Sequence, residues 1–302
     1  MTATLPDSMQ AEIRGKTWLI TGGASLIGSH IADQLLQAGA GKVRLFDNFS
    51  LGSRDNIAHL GGDDRVELIK GDVLSTDDLA RAFNGVTGVF ALAGFLTLPM
   101  ANNPHLGLSV NVIGLVNTLD ACKAAGVRRI VLSSSVSAYG NSTAAQITEE
   151  TPFTAHGLPA PSQMYGTSKL LGEALCAQYA RAHGLQFNAL RFSSVYGERQ
   201  HARAVNALFI AQTLQSVLKD EPPVIVGDGS EVHDYIYVTD VARGCLMAMA
   251  GASHGHVLNI ATGVDTTLTR VVELVLQKPA RRRCVPNTRK TLARCAPLPS
   301  RT

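Results

Sequence analysis

From Thr17 to about Leu190, short apolar runs alternate with longer segments of helical period, and this alternation most restricts the folds open to the chain. Near-continuous apolar runs are strands buried on both faces, and a helix between each pair carries the chain back so that successive strands lie parallel. Strands are expected at 17–21, 43–46, 66–69, 89–92, 129–132 and 186–191, with helices at 27–37, 106–125 and 162–183. The pattern implies an α/β fold, a doubly wound sheet of six parallel strands. Beyond Phe192 the rhythm changes. A helix near 205–218, a Pro222-Pro223 break, strands at 224–226 and 235–238, a helix after Asp240, a strand at 257–260 and a last helix at 268–276 are expected. The main domain then spans 15–192, with 234–260 returning to it, and a smaller, incomplete C-terminal lobe takes 193–233 and 261–276.

Composition narrows the possibilities. With 302 residues, 45% hydrophobic and 17% charged, the chain can bury a large core. Five cysteines, an odd number with no CxxC pair, suggest neither a disulfide framework nor a thiolate zinc site, so a reducing compartment and no metal are expected. Residues 1–14 hold no sustained apolar run, and no later stretch reaches the roughly 18 apolar residues of a membrane span, which points to a cytoplasmic protein. Eight of the 27 Lys and Arg lie between Lys278 and Thr302, where no acid occurs, and the other 19 face 24 acids. The body is therefore about five charges negative, which argues against nucleic acid or a membrane as its partner.

The turn after the first strand reads Thr21-Gly22-Gly23-Ala24-Ser25-Leu26-Ile27-Gly28 and opens a helix. Backbone N–H groups and the helix dipole can hold a pyrophosphate at such a turn, in the manner of a Rossmann-type dinucleotide site. Gly22 permits the tight turn and Gly28 the close approach of helix to sheet. Ser25 stands where a third glycine would admit the phosphate most closely, and offers an N–H and a hydroxyl instead. A plain strand–helix turn is the alternative. Asp47 ends the second strand 19 residues after Gly28, near the offset at which an acid hydrogen-bonds an adenosine ribose diol and repels a 2′-phosphate. NAD is therefore preferred over NADP, although Arg44 and Arg54 lie close in sequence. Asp72, followed by Val73, can accept from an adenine amino group or cap a turn.

Tyr165-Gly166-Thr167-Ser168-Lys169 places a phenol and an ammonium on one helix face. A phenol is a poor base at neutral pH, but a neighbouring ammonium and a cationic nicotinamide both favour phenolate, so the Tyr165 pKa is expected to fall. Tyr165 would then serve as a general acid/base and Lys169 would also bond the nicotinamide ribose. A solvated Tyr and Lys four residues apart is the plain alternative. Ser133-Ser134-Ser135 follow the strand at 129–132, at the carboxyl edge where open sheets bind ligands, and can polarise a substrate C–O bond.

These motifs, in this order, resemble the extended short-chain dehydrogenase/reductase superfamily in its NAD-dependent epimerase/dehydratase branch, over about residues 16–276. Supporting segments include Asp47-Asn48-Phe49-Ser50, Gly71-Asp72-Val73, Leu92-Ala93-Gly94, Asn111-Val112-Ile113-Gly114, Tyr139-Gly140, Leu190-Arg191-Phe192, Val195-Tyr196-Gly197 and Asp234-Tyr235-Ile236-Tyr237-Val238. The resemblance implies Ser135 as the catalytic serine, Tyr165 as the acid/base and Lys169 as its partner. It implies NAD contacts from Gly22, Ser25, Leu26, Ile27, Gly28, Asp47, Asn48, Ser50, Asp72, Val73, Leu92, Ala93, Gly94, Tyr165, Lys169 and Ser193, and substrate contacts from Ser135, Ser194 and His233. A homodimer through the helices after the fourth and fifth strands is implied as well.

Dehydratases of this branch carry an Asp-Glu pair after the fifth strand and decarboxylases a glutamate, whereas this chain has Ser134-Ser135-Val136-Ser137. The resemblance thus implies epimerisation of a nucleotide sugar by transient oxidation at C4, with an NAD-linked reductase or dehydrogenase of another substrate and a non-catalytic cofactor-binding scaffold as alternatives. Ser194 stands for a nucleotide-contacting Asn, His233 for a diphosphate-binding Arg and Leu96 for a cofactor-contacting Lys, so a weaker grip on diphosphate is expected. The basic tail 277–302 is expected to be a truncated or frame-shifted terminus, with a basic interaction tail or a flexible end as alternatives.

Overall fold

The structure, a computed structural model, describes residues 5–200 and 205–277. Helix α1 (Asp7–Ile13) leads into β1 (Thr17–Thr21), whose last four residues are buried. Ser25 starts α2 (Leu26–Gln37) by accepting the Gly28 N–H at 3.2 Å, which satisfies one of the free donors of the first turn. Strands β2 (Lys42–Asp47) and β3 (Val66–Lys70) follow, then α3 (Thr76–Phe83), capped in the same way by Ser75, and β4 (Gly88–Ala91). Short helices α4 (Thr97–Asn102) and α5 (Pro104–Leu108) precede a π-helical stretch at Ser109–Gly114 and α6 (Leu115–Ala125), which Gly126 ends at φ +70°. Next come β5 (Arg129–Ser135), α7 (Ala160–His183) and β6 (Gln186–Phe192). The rest comprises β7 (Ser194–Tyr196), α8 (Val205–Leu218), β8 (Val232–Tyr237), α9 (Val238–Ala250), β9 (His256–Ile260), β10 (Asp265–Thr267) and α10 (Leu268–Leu276).

These elements fall into two units, one within Met1–Phe192, Gly197–His201 and Tyr237–Ile260, the other within Ser193–Tyr196, Ala202–Ile236 and Ala261–Thr302. The first is a Rossmann-type α/β unit built on a parallel sheet in the order β3-β2-β1-β4-β5-β6-β9. Strand order reverses between β1 and β4, and the crevice beyond the carboxyl ends of such a pair is where open sheets take ligands. The sheet has seven strands rather than the expected six, because the run near 257–260 does not stand apart. As β9 it pairs in register with β6, from Asn188↔His256 to Phe192↔Ile260. Leu19, Ile20, Ile31, Leu35, Leu45, Val89 and Phe90 are completely buried between sheet and helices. Each such side chain contributes about 1.5–3 kcal/mol.

The second unit holds the antiparallel sheet β10-β8-β7 and a small core of Ile225, Leu268 and Val272. Here the sequence expectations need correction. Residues 224–226 form no strand element: Ile225 faces the core, but Val224 and Val226 are 67% and 87% exposed, so the apolar run is one buried residue between two solvated ones. The strand expected at 235–238 is displaced to Val232–Tyr237, and the helix expected after Asp240 begins at Val238. In the first unit the continuous helix expected at 106–125 is interrupted by the π-helical turn. Cys284, Cys295 and the basic tail lie outside the described residues, and Cys122, Cys176 and Cys245 are buried free thiols. Among the described residues, no helix is long and apolar enough to cross a membrane and no group of three His, Cys, Asp or Glu is placed to hold a metal ion.

Candidate active site

Two neighbouring clefts open at the carboxyl ends of β1, β2 and β4. The larger, about 520 Å³, is lined by Gly22, Ser25, Asp47, Asn48, Ser50, Asp72, Val73, Leu92, Ala93 and Gly94, all singled out from sequence. Gly22 turns at φ +73°, with the Ala93 backbone nitrogen 3.0 Å from where a Cβ would stand. A Cβ on Gly28 would collide with the Gly22 carbonyl, so α2 approaches the sheet only as glycine permits. Leu26 and Ile27 form the first turn of α2, where N–H groups have no intrahelical partner. Ser25 departs from expectation in part. Its N–H donates to Gly22 O at 3.2 Å and its hydroxyl accepts from Gly28 N, so both groups are engaged in shaping the turn.

Asp47 is 7% exposed, and its carboxylate accepts the Ala24 N–H at 3.0 Å and the Phe49 N–H at 2.7 Å. Burial raises its pKa above the ordinary carboxylate value, against the lowering effect of these two bonds. Asp72 serves as a turn cap, its Oδ1 accepting from Leu74 N at 2.9 Å, while Oδ2 accepts from the Asn48 amide at 3.0 Å on the cleft wall. The donor-rich turn, the glycine-only approach and a carboxylate at the end of β2 fit an adenine dinucleotide without a 2′-phosphate.

The adjoining cleft, about 400 Å³, is lined by Thr21, Asn111, Ser133, Ser168 and Lys169 among others. Lys169 donates to Ser133 O at 2.9 Å, and its Nζ lies 5.6 Å from the centre of the Tyr165 ring. The Ser135 hydroxyl is the polar neighbour that opposes the rise of the Tyr165 pKa, and Ser135 Oγ accepts from Ser137 N at 3.1 Å. The structure thus brings Ser135, Tyr165 and Lys169 together. The expected downward shift of Tyr165 is not found in the free chain. Burial pushes the phenol up to about 12, against the opposing effect of Ser135, and pushes the Lys169 ammonium down to about 8. Desolvation favours the neutral form of both groups and is the largest cause of each shift.

Sequence reasoning missed several supporting residues. Asn111 Oδ1 accepts from Phe95 N at 2.7 Å, and its amide reaches Phe95 O at 3.1 Å and Ser168 Oγ at 3.2 Å. It thereby braces the loop after β4, and its place in the π-helical turn is what aims it there. Glu173 and Arg191 form a buried ion pair at 2.7 Å. An acid one turn beyond Lys169, on the helix face that carries the Tyr165 and Lys169 pair, was the available signal. Leu96 starts α4 and is 39% exposed. Ser193, Ser194 and His233 belong to the second unit: Ser193 Oγ donates to Asp234 Oδ1 at 3.1 Å, Ser194 opens β7, and His233 Nε2 lies 2.8 Å from Glu231 Oε1.

A sequence profile described as "NAD dependent epimerase/dehydratase family" matches residues 18–261. The chain is 32% identical over 260 residues to a putative UDP-glucose 4-epimerase of Methanocaldococcus jannaschii, covering 85% of this chain and 80% of that one. It is 31% identical to UDP-glucuronic acid decarboxylase 6 of Arabidopsis thaliana, covering 91% and 79%. Among solved structures it resembles a UDP-glucose 4-epimerase of Thermotoga maritima with UDP-glucose, at 29% identity and a TM-score of 0.78, covering 92% and 88%.

Proposed function

Because the chain belongs to the NAD dependent epimerase/dehydratase family, an NAD-dependent enzyme family, we propose that it epimerises a nucleotide sugar at C4 by transient oxidation. The observation that carries this reading is the Tyr165 phenol with Lys169 alongside and Ser135 as its polar neighbour, facing a strand-end segment, Ser134–Ser137, that has no carboxylate. Dehydration and decarboxylation call for an acid or base at that segment, and none stands in it; oxidation and reduction at one carbinol need only the hydroxyl pair. The relatives named for UDP-glucose epimerisation support the same choice over the relative named for decarboxylation.

We assign the roles on that reading. Gly22 and the first turn of α2, through Leu26 and Ile27, would hold the pyrophosphate, Asp47 the adenosine ribose, and Asn48, Ser50, Asp72 and Val73 the adenine end. Leu92, Ala93 and Gly94 would line the path towards Lys169, which would bond the nicotinamide ribose. When bound, NAD accepts a hydride from the carbinol carbon and returns it. Tyr165 removes the C4 hydroxyl proton and later gives it back, Ser135 bonds the same oxygen, and Lys169 favours the ionised phenol. Ser193 is our candidate for a further cofactor contact, and Ser194 and His233 for substrate contacts.

Incubating the purified chain with UDP-glucose, without added NADH, should give UDP-galactose with no net change at the nicotinamide absorbance. Stoichiometric consumption of NADH with a keto substrate, and no sugar interconversion, would overturn the proposal in favour of a reductase.

A further inference from the structure

We propose that Glu173 is a positioning residue for Lys169: with Arg191 and Ser134 it balances charge beneath the ammonium and ties the serine-bearing strand end to α7. The inference rests on the role given to Lys169 above and deepens it. Glu173 stands one turn beyond Lys169 on α7 and is 7% exposed. Its Oε1 accepts from Ser134 Oγ at 2.5 Å and Arg191 Nε at 2.9 Å, and its Oε2 accepts from Arg191 Nη2 at 2.7 Å. Ser134 and Arg191 oppose each other in the β5–β6 register, so one carboxylate fastens two strands to one helix. The residue before Ser134 is Ser133, whose carbonyl receives Lys169, and the residue after it is Ser135.

Arg191 is itself held in place. Its guanidinium lies 4.6 Å from the centre of the Tyr139 ring, Tyr139 donates to Asn259 Oδ1 at 2.6 Å, and Arg191 Nη1 reaches Glu149 O at 3.3 Å. The titratable and charged groups around Lys169 are Tyr165 and Glu173 from α7, and around Glu173 in turn Cys176 from α7 and Arg191 from β6, which Tyr139 from the turn after β5 covers, beside the neutral Ser133 and Asn111. Glu173 is the anion and Arg191 the cation among them. Packing alone gives no reason for such a pair, since desolvation offsets much of its attraction and apolar side chains fill the same space at no such cost. A fixed charge balance beside an ammonium does give one. The carboxylate favours the charged lysine, and the guanidinium holds the carboxylate aimed through two hydrogen bonds.

The test reads the charge on Lys169 directly. In the ligand-free full chain, NMR of the 15N-labelled lysine side-chain nitrogen, assigned by its loss in K169M, gives the titration midpoint without cofactor, substrate or turnover. E173Q leaves a buried cation uncompensated, so the midpoint should fall by about one pH unit. R191Q leaves the anion alone and should raise it by about as much, and the double variant E173Q/R191Q should return it to within a few tenths. E173D, which keeps the charge, should leave it in place. An unmoved midpoint in E173Q, or shifts of the same sign in E173Q and R191Q, overturns the proposal. Should R191Q not fold, a double variant displaced as far as E173Q overturns it equally. Loss of the sugar reaction leaves this titration untouched, so the two proposals fail separately.

Discussion

Replacing Lys169 with methionine should make the ligand-free protein more stable at pH 7. Burial pushes the lysine from 10.5 down to about 8, with the Glu173 carboxylate opposing the shift. A lysine whose folded pKa is depressed binds its proton more weakly in the native state than in the unfolded chain. Its cost is therefore carried in full below pH 8 and relieved as pH rises to 10.5. A gap of that size corresponds to about 3 kcal/mol. The side chain keeps some exposure, and methionine leaves the Ser133 carbonyl without its donor at about 1 kcal/mol, so a net gain of about 1–2 kcal/mol remains. For a chain of this size that is a rise of roughly 2–3 °C in Tm. Calorimetry of both proteins at pH 7 and pH 10.5 should show K169M melting higher at the lower pH and the gap closing at the higher one. Equal melting at pH 7, or a gap that persists at pH 10.5, would refute the idea that a desolvated ammonium sets the cost.

Three further outcomes are expected. Y165F should lower kcat for sugar interconversion by about 10³-fold while NAD affinity, measured by calorimetric titration, stays within about threefold, because only the acid/base hydroxyl is lost. D47N should narrow the preference for NAD over NADP by at least about tenfold, since the charge that repels a 2′-phosphate is gone. As burial raises the Asp47 pKa, the wild-type preference should erode on the acid side of neutrality sooner than an exposed carboxylate would allow, and D47N should show no such pH dependence. G28A should abolish NAD binding and lower Tm, because the added Cβ meets the Gly22 carbonyl, a backbone atom that cannot rotate away.

The parallel sheet was legible because its signal is local. Each buried strand is an apolar run and each crossover helix a period of 3.6, so β1, β2, β5 and β6 emerge within one to three residues of where sequence puts them. Pairing is not local, which is why β9 was found as a run and not counted as the seventh strand. Short edge elements carry the weakest pattern: β7 and β10 are three residues each, and the run at 224–226 has strand composition but forms no more than a single bridge at Val224. The same division holds at the site. Gly22, Asp47, Tyr165 and Lys169 announce themselves by spacing along the chain. Asn111, Glu173 and Arg191 act through partners 16, 39 and 18 residues away in sequence, a relation that only the folded sheet creates.

The one expectation that the free chain reverses also says when the site can work. A phenol held near 12 must lose about 7 kcal/mol of its preference for the neutral form to serve as a base near pH 7. The opposing effect of Ser135 is already contained in that value. A unit positive charge at the 5.6 Å separating Lys169 Nζ from the Tyr165 ring supplies about 3 kcal/mol at an effective dielectric constant of 20. Lysine alone falls short, and a second cation at a similar distance closes most of the gap. The residues of this chain therefore keep Tyr165 protonated and inert until a positively charged group lies beside it. Acid/base competence is then confined to the oxidised, occupied site, where a proton taken from a hydroxyl has a hydride acceptor waiting for its partner electrons.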